Sequence, residues 1–315
     1  WVLAFFAYAS FGLLIQAPAG AFGHITGLGV CVALYALIAH GVQTFRALNV
    51  IAGTVLAMVL LVSGVGAHQG FQPLGCVIVD ETVPGDQASG KPDGRPCDDP
   101  RTCYLGNAEP GAQYLCERIG LFGTTSIGRG RVRYRGVLQD PNELALAGGV
   151  GLPLAFALGR VPRRSLGRLG LVLLTLLLVA LCAVLTASRT GQVVFLAVIG
   201  VYFVKRFGIK GLLLGITAAL PLLVFGGRSG EEADSSTFER IDCWVEALSL
   251  WRSHPFFGIG VGQFGEYHYL TAHNSYLLAL SELGPLGFLL FSIVVYLSIK
   301  IPVQVLREIG PSGEA

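Results

Sequence analysis

The sequence predicts an all-α fold, a polytopic transmembrane helix bundle with two long extracytoplasmic loops. Three observations predict it. Of the 315 residues 53% are hydrophobic and 13% charged, where a soluble domain carries roughly 25% charged residues. Apolar runs of membrane-spanning length recur, and basic residues gather in short turns between them. No collagen-like, coiled-coil or charge-rich disordered pattern competes. A net charge of +2 is too small to mark a nucleic-acid binder.

A crossing takes about 20 apolar residues. By that rule eight spans are expected, near 1–16, 20–40, 47–66, 143–159, 168–187, 191–204, 211–226 and 276–299. Arg46, the group Arg160, Arg163, Arg164 and Arg168, the group Lys205, Arg206 and Lys210, and finally Lys300 and Arg307 then share one side. The positive-inside rule makes that side cytoplasmic and puts the rest outside. The chain divides accordingly into N-terminal spans (1–66), a first outer loop (67–142), central spans (143–226), a second outer loop with an interfacial helix (227–275), and a last span with its tail (276–315). Ala17-Pro18-Ala19 could be read as a signal-peptide cleavage site, but seven further spans follow and no basic segment precedes it. The chain opens on Trp1, so a preceding segment is expected.

Four of the seven cysteines, Cys76, Cys97, Cys103 and Cys116, fall in the first outer loop. An oxidising compartment would pair them as two disulfides in one of three connectivities. Zinc fits less well, since that stretch has no Cys-x-x-Cys and no histidine. Cys31 and Cys182 read as packing residues within spans, and Cys243 as a lone loop thiol. The Gly-, Pro- and Asp-rich stretch 80–112 reads as solvated surface. The spacing of Asp86, Asp93, Asp98 and Asp99 matches no calcium loop.

Charge then appears where orientation disfavours it. Arg129, Arg131, Arg133 and Arg135 lie outside and abut the next span, which calls for an anionic partner. Arg189 stands in a tight outer turn between apolar spans, where an unpaired guanidinium would cost on the order of 3 kcal/mol. Residues 239–252 read as an interfacial helix with an apolar stripe of Ile241, Trp244, Val245, Leu248 and Trp251, and with Arg240 on another rim. The glycine-rich stretch 258–264 excludes a helix. His273 precedes the last span, whose helix Asn274 or Ser275 can cap. The dipole there favours a neutral imidazole and attracts phosphate. Gly284-Pro285-Leu286-Gly287 interrupts that span. Of the other histidines, His24 and His40 read as lying in a span or at its cytoplasmic end, and His68, His254 and His268 as outer-loop surface.

These pieces, in this order, resemble the O-antigen ligase and polymerase family of bacterial membrane glycosyltransferases. The resemblance runs from Arg133 to Phe291. It rests on Arg133-Tyr134-Arg135-Gly136, then 140–145 with Asn142, Ser188-Arg189-Thr190-Gly191, and Arg240 with Trp244. It continues through the glycine-rich stretch to His273-Asn274, followed after nine residues by Gly284 and Gly287. The last spacing is similar to the ligase signature in particular. The resemblance implies a GT-C-like bundle in the bacterial inner membrane, acting in lipopolysaccharide biosynthesis with its active site facing the periplasm. The implied reaction moves a glycan from undecaprenyl pyrophosphate to a sugar hydroxyl of the lipid A core, with inversion and without metal or other cofactor. The partners implied are that donor, the glycan acceptor and the bilayer. Arg189 and either Arg133 or Arg135 would hold the pyrophosphate, Arg240 would assist, and His273 would be the base.

The residue types suit this chemistry on their own terms. A pyrophosphate leaves as a stable anion and needs forked guanidinium groups more than a general acid. The acceptor hydroxyl needs a base, worth about 10²- to 10⁴-fold. The absence of an Asp-x-Asp pair argues against a metal-dependent sugar-nucleotide enzyme. The alternatives are a polymerase of the same family, joining repeat units, or a lipid-linked glycan transporter. A transporter would place its ionisable residues at the midplane and show an inverted repeat.

Overall fold

Uncharged runs of Leu, Val, Ala and Ile become helices because, in hydrocarbon, the intrahelical ladder satisfies every backbone group. The computed structural model describes every residue except 19, 80–89, 107, 129, 134–137, 139, 160–165, 209, 212, 214, 218–229 and 310–315. The protein is a mostly helical, multi-pass membrane protein. Five described helices are long and apolar enough to cross a bilayer: α2 (Ala21–Gly41), α3 (Phe45–Gly70), α4 (Pro141–Gly159), α5 (Leu166–Leu185) and α8 (Ser275–Ile309). α1 (Val2–Gln16) is apolar but has only 15 residues. The run expected at 191–204 is helical, as α6 (Arg189–Phe207), and carries Arg189, Lys205 and Arg206 at its ends. Most of the span expected at 211–226 lies outside the described residues, as do Arg129, Arg135, Arg160, Arg163, Arg164 and Asp86.

The chain forms two units, one of Trp1–Gln43 with Ser229–Ala315 and one of Thr44–Arg228. In the second, α4 is the central helix, and its glycines each admit a different neighbour. A Cβ on Gly148 would stand 2.8 Å from Val179 of α5, one on Gly149 2.3 Å from Val194 of α6, and one on Gly151 2.6 Å from Val59 of α3. Small residues serve this purpose where no hydrophobic drive separates helix from lipid.

Between α3 and α4 the fold departs from an all-helical reading. Strands β1 (Leu74–Val79), β2 (Gly90–Pro96) and β3 (Tyr114–Arg118) make an antiparallel sheet in the order β2-β1-β3. The β-branched run Val77-Ile78-Val79 is an ordinary strand signal. β2, with Pro92 and Pro96, carries none and survives only as an edge. Covalent links hold it. Cys76 joins Cys103 on a 3₁₀ turn (Pro100–Tyr104), and Cys97, just past β2, joins Cys116 on β3. These four half-cystines and Tyr114 are the buried core of the lobe. The sulfurs that cluster closely enough to suggest a metal site are therefore already bonded in disulfides.

The acidic stretch is less passive than solvated surface. Arg95 donates to Asp93 and to the carbonyls of Cys103 and Leu105, with its guanidinium over the Tyr114 ring. Burial would raise the Asp93 carboxyl, but the hydrogen bonds and charge of Arg95 outweigh it and hold the group below its usual range. Asp99 caps the 3₁₀ turn by accepting from the Arg101 N–H at 2.8 Å.

In the first unit, α7 (Gly230–Ser253) packs through Cys243, Ala247 and Leu250. The stripe read as the helix's organising face, with Ile241, Trp244 and Val245, is exposed. α7 thus has two apolar faces, one on protein and one available to the headgroup region. Cys243 is therefore not a loop thiol. It is fully buried in this helix, 3.6 Å from Nδ1 of His268. Burial raises its pKa, and the charges of Asp242 and Glu239 add to the effect, which leaves an inert thiol.

A candidate glycosyl-transfer site

The second unit organises its site from the start of α4. Asp140 accepts from the Asn142 N–H at 2.6 Å, and Glu143 returns to the Asp140 N–H, a reciprocal cap with Pro141 in the first turn. Asn142 is thereby fixed, and its Oδ1 accepts from Ser188 Oγ at 2.6 Å. Ser188 is the N-cap of α6 and also accepts from the Gly191 N–H at 3.0 Å. A Cβ on Gly191 would stand 2.2 Å from that of Ala145. The Ser-Arg-Thr-Gly motif thus reads as a cap, an exposed arginine and a close-approach glycine. Arg189 occupies the first turn of α6, where the helix dipole opposes a cation and favours an anion beside it.

The basic run reaches the same turn from the lobe. Buried Glu117 accepts from Ser126 Oγ and, at 3.2 Å, from the Gly130 N–H, which fixes the bend before Arg131. Val132 N–H then donates to the Leu185 carbonyl and Arg131 Nε to that of Thr186, so the segment caps the C-terminal end of α5. The structure thus joins Asn142 to the Ser188 cap that precedes Arg189, and ties the backbone next to Arg133 to the end of α5. Arg133 itself is 1% exposed; its N–H donates to Gln69 Oε1 and its Nε to the Thr125 carbonyl. Arg135, its rival as phosphate ligand, lies outside the described residues.

The first unit builds its part around a broken helix. α8 has Gly284 at φ 68°, and Pro285 has no N–H to give the Ser281 carbonyl. Three consecutive carbonyls are satisfied from elsewhere. Ile259 N–H donates to Ser281 at 3.0 Å, Gly260 N–H to Glu282 at 2.9 Å, and Tyr8 Oη to Leu283 at 3.1 Å. A Cβ on Gly258 would stand 2.4 Å from Glu282 backbone, and one on Gly284 2.1 Å from the Phe256 carbonyl. The glycine-rich stretch and the Gly-Pro-Leu-Gly motif are two halves of one backbone junction. Gly287 lies beside it, with room for Tyr8. Buried Glu282 then accepts from the Phe264 N–H at 3.1 Å and holds the far side of the loop.

At the head of α8, Asn274 Oδ1 accepts from the N–H groups of Tyr276 and Leu277. His273 precedes this cap at φ 49°, exposed, beside a fully buried Ala272. A non-glycine residue there stores on the order of 1–3 kcal/mol of strain. Ala272 shares a core with Ala247 and Leu250, so α7 is seated against the segment that bears His273; Arg240 lies exposed one turn before the packed stripe. His24 lies within the span α2, as read from the sequence. It sits against the glycine-rich loop, where a Cβ on Gly262 would stand 2.6 Å from its ring, and its Nε2 lies 3.5 Å from Gln263 Nε2.

Residues 145–292 match the O-antigen ligase family. The match spans a little under half of the chain and supports membership of the O-antigen ligase and polymerase family. No curated protein and no solved structure matches the chain. The matched span holds Arg189, Arg240, His273, Asn274, Gly284 and Gly287. It begins after Arg133, Arg135 and Asn142, so it is shorter at its start than the resemblance read from the sequence, and the disulfide lobe lies wholly before it. The match supports an activity of O-antigen ligase or polymerase type in general, in a membrane setting.

Proposed function

We propose that the protein transfers a glycan from undecaprenyl pyrophosphate to a sugar hydroxyl of the lipid A core, at the periplasmic face of the inner membrane, with inversion. One observation carries the reading. Within the family match, the exposed Arg189 and the exposed His273 each stand at the N-terminus of an apolar helix, where an anion is favoured. His273 takes the proton of the acceptor hydroxyl as the new glycosidic bond forms and the bond to the pyrophosphate breaks. Arg189 stabilises the departing diphosphate through its fork. Burial of Arg133 favours Arg135 as the second phosphate ligand, with Arg133 tying the segment down. Arg240 serves the acceptor. No step calls on a metal or other cofactor. The two disulfides support an oxidising compartment for the lobe, and the lobe meets the same end of the helices as the Arg189 turn.

The test is transfer of a lipid-linked glycan to core lipid in proteoliposomes. His273→Ala and Arg189→Ala should each lose about 10²- to 10⁴-fold in rate while the protein inserts normally. Arg189→Lys should recover little, because a point charge does not replace the fork. Full activity in both alanine variants would end this mechanism. In a deletion strain, core lipid without any O-antigen supports ligation, whereas core bearing a single repeat marks a polymerase.

A further inference from the structure

The turn Leu121–Gly123, between the sheet and the basic run, has no part in the chemistry above and has an unusual build. Phe122 sits at φ 59°, ψ 24°, a left-handed conformation that a bulky residue adopts rarely. Its side chain is 84% exposed, beside Leu121 at 44%. The turn is closed firmly. Gly120 N–H donates to the Thr124 carbonyl at 2.7 Å, and both the N–H and hydroxyl of Thr124 donate to the Leu121 carbonyl. Glycine or asparagine would hold the same backbone without strain, so the ring at this place is what the strain supports.

The level of the turn follows from its neighbours. A Cβ on Gly120 would stand 2.9 Å from Gln69 Cβ, so the turn springs from the last helical turn of α3, a membrane span. A Cβ on Gly70 would stand 2.4 Å from Leu185, the last residue of the span α5, so two spans end at one level. Phe71, the first residue beyond α3, is 70% exposed there as well. An apolar tip at the mouth of two spans continues their lipid-facing surface into the region where aromatic rings partition favourably.

We propose that Leu121 and Phe122 form an interfacial wedge that inserts into the bilayer beside the ends of α3 and α5 and seats the disulfide lobe on the lipid surface. The lobe then carries the bend that delivers Arg131 and Arg133 to the α5 end at a fixed height.

The test uses the full chain with Trp1, Trp244 and Trp251 changed to Phe and with Phe122→Trp as the sole reporter. It is reconstituted in phosphatidylcholine and phosphatidylglycerol vesicles whose phosphatidylcholine carries bromine near the headgroup end of its acyl chains. The emission should fall by about half relative to unbrominated vesicles and resist aqueous iodide. Leu121→Trp provides a second reporter if the first variant fails to fold, with the same result expected. Strong iodide quenching without bromine quenching would overturn the proposal, and so would protection from both quenchers, which would mean that protein covers the tip.

Discussion

Two helix N-termini carry the groups assigned to chemistry, and they place them by different means. At α6 the residue in the left-handed region is Ala187 (φ 48°), a bystander; Arg189 follows the cap and takes its direction from the helix. At α8 the left-handed residue is His273 itself (φ 49°), one place before the cap. The first arrangement is rigid because Ser188 is buried and bonded both to Asn142 and to its own helix. In the second, the helix cap, the buried Ala272 and a strained backbone orient an exposed ring. Under the proposed mechanism, the cation that stabilises the leaving diphosphate is held by register alone, and the base that meets the acceptor hydroxyl is held by dihedral angles.

The comparison is tested most severely at Gly191. Its close neighbour is a Cβ fixed to the backbone of α4, which cannot swing away. Gly191→Ala should separate α6 from α4, cost about 1–3 kcal/mol and lower thermal stability in detergent by several degrees. Transfer should fall with it, since the same shift moves Arg189. An unchanged melting profile would mean that the α4–α6 contact does not set Arg189.

Asn274→Ala comes next, at about 1 kcal/mol for a lost N-cap. Because the cap adjoins His273, the rate should fall more than KM rises, and Asn274→Asp should restore both stability and rate. An equal loss of stability with no change in kcat would separate the cap from the orientation of the ring.

Much of this was legible beforehand. Hydropathy marked the spans, Arg189 and the interrupted last helix stood out because each broke a local rule for membrane segments, and His273 stood out by its place at the head of a capped helix. Periodicity found one apolar face of α7, the exposed stripe of an interfacial helix, and missed the second, through Cys243, Ala247 and Leu250, which only packing reveals. The sheet escaped because β2 has no strand propensity; it depends on disulfides whose pairing the spacing of Cys76, Cys97, Cys103 and Cys116 leaves open. What a sequence cannot reveal is that Arg133 is buried, with its N–H on Gln69 and its Nε on the Thr125 carbonyl, while it stays a candidate beside Arg135.

The smallest effect discriminates best between the two termini. Ala187→Gly removes a Cβ from a left-handed residue, relieving about 1–2 kcal/mol against about 0.4–1 kcal/mol of added chain entropy in the unfolded state. Stability should therefore rise slightly or stay level, and transfer should be untouched, because the strain at α6 serves no reacting group. His273→Gly relieves the same kind of strain and should behave similarly in a melt, yet transfer should be lost with the imidazole. If Ala187→Gly slows the reaction, the α6 turn is tuned by its own dihedral angles, and the distinction between placement by register and placement by strain fails.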